Sequence, residues 1–159
     1  MKTIATGLII GLITGIILGG LILFLISPSL LLKETRSTHD FETTLSKLQT
    51  SIDEMGWKTP QIHDLQATLK KFGKDVRQVK VIEICNPDHA YKILSKSEER
   101  IASNLMPCRI AVYEKEDGTI WLSRMNSGLV SKPMSKTIRR TMSVAADETE
   151  QIIESAIAD

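Results

Sequence analysis

Apolar residues fill the first part of the chain, and alternating apolar and polar positions follow. No charged side chain interrupts the run from Ile4 to Ile26. At the helical rise per residue, about 20 apolar residues are enough to cross the roughly 30 Å of bilayer hydrocarbon. The pattern therefore predicts a transmembrane helix within an anchor at residues 1–33, a linker at residues 34–40 and a soluble domain at residues 41–158.

A cleaved secretory signal peptide is the competing interpretation of this run. Signal peptides have an apolar core of roughly 7–15 residues before a small-x-small cleavage site. Ser27-Pro28-Ser29 has that spacing, so cleavage before Leu30 stays open. The greater length of the core, and its continuation through Leu30–Leu32, favour an uncleaved anchor.

Glycines recur at every fourth position of the run and form one stripe of the predicted helix: Gly7, Gly11, Gly15 and Gly19. Small residues at this spacing let two helix backbones approach closely, which permits association in lipid. Glycine is also frequent in membrane helices in general. The stripe predicts packing against another transmembrane helix, either in a homo-oligomer or in a membrane complex.

Charge sets the orientation of the anchor only weakly. Lys2 and the amino terminus precede the run, whereas Lys33 and Arg36 follow it, so positive charges are nearly balanced. The very short segment before the run is typical of a signal-anchor that exports the rest of the chain. We therefore expect a single-pass membrane protein with its soluble domain on the extracytoplasmic side, the periplasm of a bacterium.

The first part of the soluble domain shows a helix, a strand and a second helix. One helix begins after the cap Asp40 and ends at Gly56, with apolar positions at steps of four and three. Residues 57–62 predict a short strand, which Pro60 confines to an edge. Asp64 caps the second helix, whose expected inward residues are Leu65, Leu69 and Phe72.

The second part continues with a β-branched strand over residues 76–84, which the cap-and-proline pair Asn86-Pro87 ends by starting a helix. A shorter helix follows over residues 101–105, and Asp117-Gly118 predicts a hairpin with a tight turn. The last helix has an apolar seam at Ile138, Met142, Ala145, Thr149, Ile152 and Ala156. The order α-β-α-β-α-β-β-α predicts an α+β fold, a small sheet packed by helices.

The charge balance of this domain is close to neutral. After the anchor and its flanking Lys33, Glu34 and Arg36, 17 basic and 18 acidic residues remain. Nucleic-acid-binding domains show a strong basic bias. The composition therefore argues against a nucleic-acid partner.

Cys85 and Cys108 are the only cysteines, and each lies at a joint between predicted elements. Three interpretations stay open: two separate packing residues, a structural disulfide in an exported domain, or a redox or sulfur-handling pair. The helix between them favours a parallel crossover, which would hold the thiols at opposite ends of the sheet. Cys85 would then be the reactive candidate, because it precedes a helix amino terminus.

Other site signatures are weak in this sequence. His39, His63 and His89 are far apart and show no zinc-ligand spacing, so we expect no metal site. No motif identifies a cofactor. A non-covalent haem or another hydrophobic ligand would have His89, close to Cys85, as its best candidate ligand.

Two longer segments carry a family resemblance. Residues 81–94, Val-Ile-Glu-Ile-Cys-Asn-Pro-Asp-His-Ala-Tyr-Lys-Ile-Leu, and residues 105–114, Leu-Met-Pro-Cys-Arg-Ile-Ala-Val-Tyr-Glu, resemble the central signature of the domain-of-unknown-function 302 family. The resemblance covers residues 41–158 and implies a compact α+β fold, often dimeric, with no established enzymatic activity. It also implies cysteines at positions 85 and 108, and some relatives carry an amino-terminal membrane segment or signal.

These observations support three functional hypotheses. The first is a non-enzymatic binding or assembly module, held at the membrane by a helix that joins a homodimer or a complex. The second is a thiol-based redox or sulfur-handling protein that uses Cys85 and Cys108. The third is a carrier of haem or of another hydrophobic ligand, with His89 as ligand.

Overall fold

A computed structural model describes the backbone of residues 2–158 and the side chains of residues 11–22 and 29–158. Helices and strands alternate along the chain. Their bounds are α1 Lys2–Leu31, β1 Leu32–Arg36, α2 Phe41–Glu54, β2 Ile62–Asp64, α3 Leu65–Lys70, β3 Val79–Ile84, α4 Pro87–Leu94, a 3-10 helix Ser97–Leu105, β4 Cys108–Glu114, β5 Ile120–Met125, α5 Ser127–Val130 and α6 Lys136–Ile157.

The strands form one antiparallel sheet of five strands in the order β1-β5-β4-β3-β2. Alternate residues of a strand point to opposite faces, so the central strands β3, β4 and β5 each turn apolar side chains toward the helices. Helices α2 and α6 cover that face and bury, among others, Ile82, Ile84, Ile110, Val112 and Leu122. The predicted α+β class, a small sheet packed by helices, is confirmed.

Helix α6 provides the largest apolar surface against the sheet. All six positions of its predicted seam are buried. The carboxyl-terminal half of the helix packs in the main core, whereas Ile138 and Met142 join a smaller cluster with Ile93 and Ala102 beneath α4 and the 3-10 helix. One helix thus ties the sheet to the connection between β3 and β4.

Side-chain caps start the helices where the sequence predicts. The Asp40 carboxylate accepts a hydrogen bond from the Thr43 amide at 2.9 Å, and the Asp64 carboxylate accepts one from the Ala67 amide at 2.7 Å. Asn86 caps α4, with Pro87 in its first turn. Such caps satisfy amides that have no partner within the helix, and each contributes about 1 kcal/mol.

The junction between α1 and the sheet differs from the predicted linker at 34–40. Helix α1 ends at Leu31, and β1 begins at the next residue and pairs with β5. The Asn126 side-chain amide donates to the Leu30 carbonyl at 3.0 Å, and its backbone amide donates to the Leu31 carbonyl at 2.8 Å. Asn126 therefore satisfies carbonyls that the end of a helix leaves free.

The predicted anchor at 1–33 falls partly outside the residues whose side chains are described. Within the described residues, no helix meets the combined requirements of length and apolar character for crossing a membrane.

The edge of the sheet near β2 also departs from expectation. The strand predicted at 57–62 is displaced to Ile62–Asp64, and Lys58 makes only an isolated bridge to Cys85. The inward face predicted for the following helix is wrong: Leu65 is 40% exposed and Phe72 is 76% exposed. Helix α3 has only six residues and lies at the sheet edge against β3, so its apolar residues have no second layer to pack against.

The hairpin between β4 and β5 is confirmed, but its turn is longer than predicted. The Gly118 amide donates to the Lys115 carbonyl, and the Lys115 amide donates to the Thr119 carbonyl. A two-residue type I′ turn would need positive φ at both central residues, and among the described residues only glycines have positive φ. Gly118, with a φ of +78°, instead closes a three-residue loop.

The packing of α6 on the sheet can be tested by substituting one of its buried residues. Replacing Ile152, which is fully buried, by Ala is expected to lower the free energy of unfolding by about 2–5 kcal/mol through lost burial and a cavity. The matched change Ile101→Ala, at a side chain that is 81% exposed, is expected to cost less than about 0.5 kcal/mol. Denaturant unfolding measures both, and equal losses would contradict the assigned face of α6.

Candidate functional site

The connection between β3 and β4 decides where the cysteines lie. The two strands are antiparallel, with Ile84 opposite Cys108, so the predicted parallel crossover is wrong. The chain leaves β3 through α4 and returns through the 3-10 helix, which packs against α4. Helix α4 leads away from the end of β3, and the 3-10 helix leads back to it, so β4 begins at the same end of the sheet at which β3 ends. Cys85 and Cys108 are therefore neighbours, and both are free thiols.

Burial keeps both thiols protonated at neutral pH. It raises the pKa of Cys108 to about 11, with a smaller contribution from Cys85, and it also raises the pKa of Cys85. The expected activation of Cys85 by the amino terminus of α4 is thus outweighed. The first amides of α4 are also taken up by Asn86, whose side-chain oxygen accepts from the Asp88 and His89 amides, at 3.0 and 3.3 Å.

Both cysteines line a small cavity of about 30 Å³, which we call the thiol cavity; its wall also includes Trp57, His89, Met106 and Met142. That volume holds a water-sized group. It is far below the roughly 300–1,000 Å³ of sites for larger ligands, so the space beside His89 does not accommodate a haem. The structure does bring together the three predicted site residues Cys85, Cys108 and His89.

His89 is held by a carboxylate on α6. Its Nε2 lies 2.9 Å from Oε2 of Glu148, and the Trp57 indole N–H donates to the same oxygen at 2.9 Å. The rings of Trp57 and His89 lie edge to face, with their centroids 5.9 Å apart. Because Nε2 faces a carboxylate, Nε2 is the donor of this hydrogen bond.

Nδ1 of His89 is buried and has no hydrogen-bond partner, the only such side-chain atom in the part of the chain that the structure describes. An unpaired buried polar atom costs free energy, and the residue that carries it lines the thiol cavity. No group of three or more His, Cys, Asp or Glu side chains among the described residues lies close enough to hold a metal ion.

A larger cavity of about 230 Å³ lies where α1 joins the sheet, and we call it the junction cavity. Strands β1, β3, β4 and β5, the segment before β4 and helix α6 all contribute to its wall. Three cations and one carboxylate line it: Lys33, Arg109, Arg124 and Glu150. Pro107 and Cys108 line both cavities, so the two spaces share a wall.

Arg124 is the central charged group of the junction cavity. Its side chain is only 8% exposed. Nε donates to Glu150 Oε1 at 3.2 Å, one Nη donates to Glu150 Oε2, and the other donates to the Thr35 hydroxyl at 2.6 Å. The Lys33 ammonium adds a contact of 3.0 Å to Glu150 Oε1. Burial opposes ionisation of Glu150, but the bonds from Arg124 and Lys33 prevail and lower its pKa.

Reasoning from the sequence did not single out this charged group. Its signal was available in β5, where the inward row reads Ile120, Leu122 and then Arg124. An arginine in an apolar row needs a partner, because an unpaired buried charge is costly. The partner of Arg124 is Glu150, which lies next to the apolar seam of α6. The spacing of residues along the chain does not reveal that Arg124 and Glu150 pair.

The glycine stripe lies apart from both cavities. A methyl group added at Gly11, Gly15 or Gly19 would have no atom of the described residues within 4 Å, so the described part of the chain leaves this face of α1 uncovered. Gly7 lies outside the residues whose side chains are described.

Comparison with known proteins adds a family and a fold. A family model described as "Domain of unknown function DUF302" matches residues 33–159. The crystal structure of an uncharacterized conserved DUF302 protein from Bacillus stearothermophilus is similar, with a TM-score of 0.72 and 16% identity. The alignment covers 79% of this chain and 98% of that chain. A search of curated proteins finds no match.

The raised thiol pKa values predict slow alkylation of the folded protein. At pH 8, Cys108 with a pKa of about 11 is expected to react about a hundredfold more slowly than a thiol with the ordinary value of 9.0. The rate should rise about tenfold per pH unit up to that pKa, because only the thiolate reacts. Iodoacetamide labelling followed by peptide mass spectrometry measures the alkylation rate of Cys108, with the denatured chain as control. Fast labelling of Cys108 at pH 8 would contradict the assigned environment.

Proposed function

The chain belongs to the DUF302 family, and we propose that it acts as a binding module held at a membrane by its amino-terminal helix, with the domain on the extracytoplasmic side. The observation that carries this proposal is the junction of α1 with the sheet. Asn126 bonds to the Leu30 and Leu31 carbonyls, and β1 follows without a linker. An apolar helix joined in this way would hold the domain at a defined height and orientation above a bilayer.

The binding role is supported by the junction cavity. It adjoins the end of α1 through Leu32 and Asn126, and it contains a buried, oriented arginine. Ligand sites characteristically combine an apolar wall with a few fixed polar groups. A module that presents such a cavity beside a membrane is suited to bind a molecule at or near that surface.

A second function, in reversible thiol chemistry, is favoured by one specific observation. Cys85, Cys108 and His89 line the thiol cavity together, and Nδ1 of His89 is buried and unpaired. In exchange with an external disulfide, one cysteine would pass its proton to this nitrogen and attack that disulfide, whose other sulfur leaves as a thiol. The second cysteine would then displace the remaining sulfur and close the Cys85–Cys108 bridge, with Glu148 holding the His89 ring. The proposed thiol chemistry is tested by counting the free thiols of the native protein with and without reductant. An intramolecular Cys85–Cys108 bridge would support this function, and two free thiols under oxidising conditions would oppose it.

The location is tested by fusing reporters after Asp159. An exported, membrane-held domain is expected to activate a periplasm-dependent phosphatase, to leave a cytoplasm-dependent fluorescent protein dark and to stay in the membrane pellet after an alkaline wash. Ile13→Lys with Ile17→Lys should release the chain, since each charge costs about 2.5–3.5 kcal/mol at the centre of a span. Ser46→Lys with Gln49→Lys, on the exposed side of α2, is the control. A soluble wild-type fusion with the reverse reporter pattern would overturn the proposed location.

Association through the glycine stripe is tested separately. Gly11→Leu with Gly15→Leu is expected to reduce cross-linking between copies of the chain or to its complex, because leucines would hold the helix backbones apart. A Cβ added at either glycine meets no atom of the described residues within 4 Å, so the fold should tolerate both changes. Ile13→Leu with Ile17→Leu is the matched control. Unchanged association of the glycine variant in membranes would locate the contact on another face of α1.

A further inference from the structure

We propose that a basic patch at the start of α6 docks the domain onto a membrane surface that contains anionic lipid. The patch consists of four exposed cations: Lys132, Lys136, Arg139 and Arg140. This inference rests on the proposed membrane anchor and adds a second contact with the same membrane. The course of α6, the closeness of the patch to the end of α1 and the charges around it support the docking.

Helix α6 extends past the end of the sheet at which α1 joins. Glu150 lies 3.0 Å from the Lys33 ammonium at that end, whereas the Ile157 carbonyl accepts from the Thr38 hydroxyl beyond the other end of β1. The last part of α6 thus follows β1, and residues 136–149 continue in the opposite direction by up to about 20 Å. This half of the helix contributes to the smaller core cluster beneath α4 and the 3-10 helix.

The same end of the domain adjoins the head groups when α1 spans a bilayer. The uncharged run ends at Ile26, and the helix ends at Leu31, about 8 Å further along its axis. The head-group region of one leaflet is about 5–8 Å thick. Helix α5 contacts α1 and leads directly into the segment that carries Lys132. The basic patch therefore belongs to the part of the domain that lies nearest to the lipid.

The charges of the patch are unbalanced. Residues 127–144 contain these four cations and no acidic residue, whereas 16 basic and 19 acidic residues make up the rest of the chain. Within the described residues, none of the four cations forms an ion pair. Three of them lie in the first five positions of α6, where the positive end of the helix dipole repels cations. An anionic surface would offset this repulsion, because it attracts both the side chains and the dipole.

Exposed apolar side chains accompany the patch. Tyr91 on α4 is 73% exposed, and Ile101 on the 3-10 helix is 81% exposed. The Lys96 ammonium donates to the Thr137 hydroxyl at 3.2 Å, so the 3-10 helix begins beside the start of α6. Tyrosine and aliphatic side chains stabilise contacts with the interface between water and hydrocarbon. This end of the domain therefore combines positive charge with apolar side chains, which is typical of surfaces that bind anionic lipid.

The experiment places the full chain in nanodiscs with a trace of lipid that carries a gadolinium chelate on its head group. Discs of phosphatidylcholine alone are compared with discs that also contain phosphatidylglycerol. Paramagnetic broadening of backbone NMR signals reports how closely each segment approaches the lipid. We expect the amides of residues 132–140 to broaden at least about twofold more in the anionic discs. The difference should vanish at about 1 M salt, where the Debye length falls to about 3 Å.

Two matched double variants locate the contact. Arg139→Gln with Arg140→Gln removes half of the patch and should abolish most of the lipid-dependent broadening. The change also relieves repulsion at the start of α6, so the fold should keep its stability, which denaturant unfolding checks. Lys71→Gln with Lys74→Gln removes two exposed cations from the connection into β3, at the opposite end of the sheet, and should behave as wild type.

Equal broadening of residues 132–140 in both kinds of disc, or broadening that the double arginine variant retains, would overturn the docking surface. Failure of the chain to enter the discs would overturn the anchor instead, and the free chain is then sedimented with phosphatidylglycerol vesicles. Binding that the double arginine variant loses would keep the docking surface, whereas no binding would remove it as well. The anchor and the docking surface can therefore fail separately.

Discussion

The antiparallel pairing of β3 with β4 is the constraint on which the rest of this structure depends. Placing Ile84 opposite Cys108 sends Ile82, Ile84, Ile110 and Val112 to the same face, where α2 and α6 cover them. A slip of one residue would turn each of these rows toward the other face of the sheet. The same register returns the chain to the end it left, which brings the cysteines together.

This end of the sheet also carries both cavities. Pro107 and Cys108 lie between the thiol cavity, where His89 presents an unpaired nitrogen, and the junction cavity, where Arg124 is held by Glu150. The elements that form the two sites are thus the ones that hold the fold together: α6 supplies both Glu148 and Glu150.

Local rules predicted the elements well and the tertiary arrangement less well. Caps such as Asp40 and Asn86, and the seam of α6, depend on residues within one or two turns, so the sequence reveals them directly. The direction of the β3–β4 connection does not follow from local rules: a helix between two strands is typical of a parallel crossover, whereas here the 3-10 helix returns the chain and the strands pair antiparallel. The Arg124–Glu150 pair was missed because its partners meet only in three dimensions, and β1 was missed because the apolar run continues into it.

The most direct test of the account is the direction and register of the pairing between β3 and β4. NMR of the full chain in detergent is predicted to show nuclear Overhauser contacts between residues that lie opposite each other, among them Ile82 with Ile110 and Ile84 with Cys108. Contacts that run in the same direction along both strands, or that are shifted by one residue, would contradict the account.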